Sequence, residues 1–144
     1  MNTPSITVII VIVVVLFLII TISYFQVRDY YTQKDPMIEK LRGILNDLVP
    51  GINNKIKIYK GGKSYTINKK TVYLCLEDQD GKYYNLNILV YVLLHEISHV
   101  LCKSIGHNEE FQGIFDKLLS KAEEKGYYDP SQKIPHDYCN YNVE

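Results

Sequence analysis

Residues 86–111, LNILVYVLLHEISHVLCKSIGHNEEF, decide how the rest of the chain is read. His95 and His99 stand four apart, so on a helix they share one face with Cβ atoms roughly 5–6 Å apart. At that spacing both imidazoles can reach one tetrahedral Zn²⁺, and Glu96 beside the first can act as general base. Leu86, Leu89, Val90, Leu93, Leu94, Ile97 and Leu101 fall on one face of such a helix. Ile88, Tyr91, Val92 and Cys102 accompany the histidines on the other. A helix apolar on nearly every side is a central, buried one. The pattern predicts its start near Asn85 or Asn87 and its end near Ile105, with Gly106 as the residue that turns the chain.

A hydrolytic zinc site needs three protein ligands and an open position. Nothing else on the same helix can complete the set, so the third ligand must come from a segment that folds back. His107, directly after Gly106, is the obvious donor; Glu109, Glu110, Glu123 and Glu124 stay open as alternatives. His136 reads as a solvated tail residue, and Cys102 as a small buried hydrophobe rather than a competing thiolate. Tyr138 or Tyr141 could hydrogen-bond a tetrahedral intermediate if the tail folds over the cleft.

Working outward, Asn108 offers a helix N-cap, with Glu109 and Glu110 in the first turn. Phe111, Ile114, Phe115, Leu118, Leu119 and Ala122 continue at helical spacing until Gly126. Upstream, Asp35-Pro36 starts another helix, carried by Ile38, Leu41, Ile44, Leu45 and Leu48 and stopped by Pro50-Gly51. Between these helices, residues 55–59, 65–67 and 71–76 read as strands, and Asp78-Gln79-Asp80-Gly81 as a turn. The expected fold is α+β, with three helices packed on a short antiparallel or mixed sheet. That domain occupies 36–126, after a linker at 28–35 and before an irregular, tyrosine-rich tail at 127–144.

The N-terminus belongs to another environment. No charged side chain occurs in residues 1–27, and residues 6–25 are almost wholly apolar. As a helix they span about 30 Å, the thickness of a bilayer's hydrocarbon core. The basic n-region and small-residue cleavage site of a signal peptide are missing, so the segment reads as a single transmembrane anchor. Arg28, Lys34, Lys40 and Arg42 follow the span and no Lys or Arg precedes it, which places the C-terminal domain in the cytosol.

Composition narrows the partners. Lys+Arg and Asp+Glu are 16 each, so no basic field points to nucleic acid. Lys55, Lys57, Lys60, Lys63, Lys69 and Lys70 form a local run without an acid, read as a lysine-protected strand edge rather than a phosphate-docking surface. Cys75, Cys102 and Cys139 are an odd set without CxxC spacing; they do not read as a disulfide framework and fit a reducing compartment.

The segment 95–111 resembles zincin metallopeptidases, in particular the WLM and SprT-like group. There, HExxH is followed by a short connection to a third His and then by a Phe opening the next helix. Gly106-His107-Asn108-Glu109-Glu110-Phe111 matches that pattern, whereas Cys102 stands where metzincins need Gly. The resemblance implies that His95, His99 and His107 hold one Zn²⁺ ion and that Glu96 is the catalytic base. It also implies that the strand at 71–76 is the edge receiving an extended protein or peptide substrate. Thirteen tyrosines, no tryptophan and abundant Ile, Lys and Asn fit an AT-rich genome, and a membrane-anchored zincin of this composition is similar to proteins of large DNA viruses. The expected function is a membrane-anchored, zinc-dependent metallopeptidase. The alternative is a non-catalytic, zinc-stabilised binding or scaffold protein of a viral membrane.

Overall fold

The computed structural model describes residues 5–140. Helix α1 (Ile6–Gln33) is followed by α2 (Pro36–Leu48), a 3₁₀ turn (Ile52–Asn54), and strands β1 (Lys57–Lys60), β2 (Tyr65–Ile67) and β3 (Thr71–Leu74). Helices α3 (Leu86–Leu101) and α4 (Glu109–Glu124) and a last 3₁₀ turn (Tyr138–Asn140) complete the described chain. The architecture is α+β, with a small mixed sheet.

Helix starts follow local chemistry. Asp35 accepts from the Met37 amide and Pro36 opens α2; Asn85 accepts from the Ile88 amide and Asn108 from the Phe111 amide. Each side chain satisfies a backbone donor that the first helical turn leaves unpaired. α1 departs from expectation: residues 28–33, read as part of a linker, continue the helix. Its portion Ile6–Arg28 is 23 residues long and contains an 18-residue window of mean hydropathy 3.4 that is not buried by the rest of the protein. By length and composition it is a candidate membrane span, and a signal sequence shares that signature.

The sheet order is β1-β3-β2, β1 parallel and β2 antiparallel to β3. The strand expected to be the substrate-side edge, 71–76, is therefore the central one, and it ends at Leu74. β2 is the edge. The reason is the two-residue turn at Asn68-Lys69, both residues at positive φ, which folds β3 straight back along β2. Ile58, Val72 and Leu74 face the core with α2 and α3, while Tyr59, Tyr73 and Tyr65 stack across the three strands on the other face. β1 starts at Lys57 rather than Lys55. Its exposed Lys57 suits an edge strand, but Lys60 pairs with Glu77.

α3 is the central helix, its Leu89, Val90, Leu93, Leu94 and Ile97 buried. It stops at Leu101, four residues before the expected end. The Cys102 amide still bonds the Ser98 carbonyl, but Cys102 is already extended, at φ −68° and ψ 136°. Glu110 takes the next two amides, of Lys103 and Ser104. A carboxylate acceptor forms stronger, charge-assisted bonds than a helical carbonyl, so the helix yields there.

The cysteines require a correction as well. Cys75 and Cys139 form a disulfide, Cα atoms 6.4 Å apart, and Cys102 is the free, buried thiol. The pair is 64 residues apart in sequence and meets because the tail returns to the end of β3, where Tyr138 packs on Tyr84. In the chain-entropy picture such a bond contributes about 4 kcal/mol. Alkylation of the unfolded, unreduced chain should modify Cys102 alone, and all three cysteines after reduction. Three modified cysteines before reduction would contradict the pairing.

A candidate metal centre

α3 presents His95 and His99 toward α4, and Gly106, at φ +91°, turns the chain so that His107 meets them. A residue with a Cβ is strained in that conformation, so glycine is required there for its backbone freedom. His107 Nε2 lies 3.2 Å from His95 Nε2 and 3.1 Å from His99 Nε2, and the three ligand atoms fall within 4.8 Å of one another. Nitrogens 2.0–2.1 Å from a tetrahedral zinc stand about 3.3 Å apart. A donor set of three imidazoles suits that ion, and the two distances from His107 are close to this spacing.

Phe111 makes the apolar floor of this cluster. Its ring centroid is 5.1 Å from that of His95, 4.5 Å from His99 and 4.7 Å from His107; Phe115 adds a second contact to His95. Burial pushes the His95 imidazole down to about 4, helped by His99 and His107. His99 is lowered by burial, then by His107 and Lys69. Neutral rings keep lone pairs free for a metal at neutral pH.

Glu96 lines the same cleft, whose volume is about 520 Å³, and is itself buried. Thr66 on β2 donates to its Oε2 at 2.7 Å. Burial raises the Glu96 carboxyl against the lowering effect of that bond. A carboxylate shifted toward neutrality is better matched to moving a proton near pH 7.

Other expected residues sit elsewhere. Glu110 binds the loop after α3, and His136 is exposed and outside the cluster. Cys102 Sγ faces Ser104, Asn108 and Glu110. Tyr138 is buried with its hydroxyl donating to the Cys75 carbonyl, so it is committed to the end of β3. Tyr141 lies outside the described residues.

Three viral proteins resemble the chain. Uncharacterized protein 136R of Invertebrate iridescent virus 6 is 45% identical over 105 residues, covering 70% of this chain and 59% of that protein. Uncharacterized protein 042R of Invertebrate iridescent virus 3 is 43% identical over 112 residues, covering 77% of this chain and 69% of that protein. The chain belongs to the family of protein 042R. Uncharacterized protein R325 of Acanthamoeba polyphaga mimivirus is 30% identical over 126 residues, 79% of this chain and 58% of that protein. The chain thus spans under two thirds of the length of 136R and R325. No family model and no solved structure matches it.

Sequence reasoning missed Thr66, Lys69 and the structural use of Glu110. A threonine 30 positions before its carboxylate partner carries no local signal. Glu110 left a partial one, an acid in the first turn after the Asn108 cap.

The shift at His95 sets a pH dependence. The unfolded chain protonates this ring below about 6.5 while the folded one resists until about 4, so its contribution to stability is lost as pH falls across that window. Glu96, with a raised folded value, contributes in the opposite sense above its unfolded 4.5. In chelator-treated protein, the urea midpoint of His95→Asn should fall less between pH 7 and pH 5 than that of wild type. Equal slopes would show that His95 is not buried as a neutral ring.

Proposed function

We propose that the protein is a membrane-anchored, zinc-dependent metallopeptidase of the WLM and SprT-like zincin type. The observation that carries this reading is the convergence of three imidazole nitrogens in a cleft that a buried glutamate also lines. His95, His99 and His107 would hold one zinc ion. When bound there, zinc would supply Lewis acidity toward a carbonyl and would lower the pKa of a water to about 7. Glu96 takes the proton of the attacking water and passes it to the leaving amine. Thr66 keeps that carboxylate aimed by binding Oε2.

β2 gives the substrate a place. Ser64, Tyr65 and Thr66 line the cleft with the histidines, and among the described residues β2 is hydrogen-bonded to β3 on one side only. An extended peptide can add along the other side, where main-chain hydrogen bonds supply affinity and alternate side chains supply specificity. The apolar part of α1 anchors the domain in a bilayer, so substrates are proteins close to that surface. The charge pattern after the span favours the cytosolic side, and the Cys75–Cys139 bond favours a side where thiols oxidise. Protease protection in sealed vesicles separates the two orientations.

The test of the activity is metal analysis of the full chain in detergent, coupled to cleavage of an unstructured protein. Wild type should carry close to one zinc and show turnover. Glu96→Gln should keep the metal and lose turnover by about 10²–10⁴-fold, while His99→Ala should lose both. Zinc in wild type without turnover would instead establish a structural metal module, and no zinc a scaffold with vestigial histidines.

A further inference from the structure

The segment that delivers His107 has little apolar burial of its own. Residues 103–107 are exposed, and Ile105 is 94% exposed. Packing therefore cannot fix the segment, yet its polar groups are held from two sides. From the β2–β3 turn, Lys69 Nζ donates to the carbonyls of Cys102 and, at 3.0 Å, Ser104. From the first turn of α4, Glu110 Oε1 accepts from the Lys103 amide at 3.1 Å. Its Oε2 accepts from the Ser104 amide at 3.4 Å, the Ser104 hydroxyl at 3.0 Å and Cys102 Sγ at 3.3 Å.

We propose that Lys69 and Glu110 are positioning residues that preorganise residues 102–106 so that His107 closes the three-histidine metal site. The proposal rests on the metal reading above. It assigns the carbonyls of the segment to a cation and its amides to an anion, carried by two elements that flank the cleft. Holding the segment before the metal arrives removes an ordering cost that would otherwise weaken binding. The hydrogen bonds of such supporting groups are typically worth 10–100-fold in metal affinity.

Zinc affinity of the full chain in detergent, measured by competition with a chromophoric chelator, tests this. Glu110→Gln and Lys69→Met should each weaken zinc binding 10–100-fold, and Lys69→Arg should restore most of the loss. Because both residues act through His107, Glu110→Gln should cost nothing further in a His107→Ala background. A merely structural residue would instead weaken binding in that background as well. Additive losses, or wild-type affinity in both Glu110→Gln and Lys69→Met, would overturn the proposal while leaving the metal site standing. If Glu110→Gln does not fold, the same cycle with Lys69→Met decides. A wild-type chain that holds no zinc would overturn the metal reading and this proposal together.

Discussion

Two sets of acceptors compete for the amides of Lys103 and Ser104, the carbonyls of α3 and the carboxylate of Glu110, and the candidate centre depends on the outcome. Had the helix won, His107 would lie eight residues beyond His99 on a rigid rod, about 12 Å further along the axis. Ending α3 at Leu101 brings it back to 3.1 Å from His99. The charged acceptor prevails because Asn108 caps α4 immediately afterwards and fixes where the side chain of Glu110 emerges. Gly106 supplies the one backbone conformation that the return path requires.

The β2–β3 hairpin serves the same corner in three ways. Thr66 holds Glu96, Lys69 reaches the segment after α3, and the side of β2 left unpaired among the described residues borders the cleft. Its far end is secured by the tail. The Ser64 hydroxyl accepts from the Cys75 amide and contacts the Tyr138 hydroxyl, and the Cys75–Cys139 bond closes that knot. Phe111 and Phe115 dry the inner side of the histidine cluster. Burial, rather than any charged neighbour, is the largest influence on His95, His99 and Glu96.

Much of this frame was legible in the chain because its signals are local. Asp35, Asn85 and Asn108 cap the helices that their spacing announced, and the i, i+4 histidines lie on one buried helix. The third histidine could be placed by its glycine. Long-range pairings left no such trace. The central position of β3 follows from a turn at Asn68-Lys69 that lacks the usual Asn-Gly signature. The disulfide joins cysteines with no motif, and the early end of α3 depends on an acid from the next helix. Thr66 reaches Glu96 only once the sheet has formed.

The family relation to protein 042R ties the chain to viral proteins and carries no chemistry of its own, so the proposed metal centre rests on the geometry of three histidines. X-ray absorption at the zinc edge of the loaded protein reads the ligand shell directly. Three imidazole nitrogens and one oxygen donor, all at about 2.0–2.1 Å, are the expected result. A sulfur scatterer at about 2.3 Å, or fewer than three imidazoles, would contradict it.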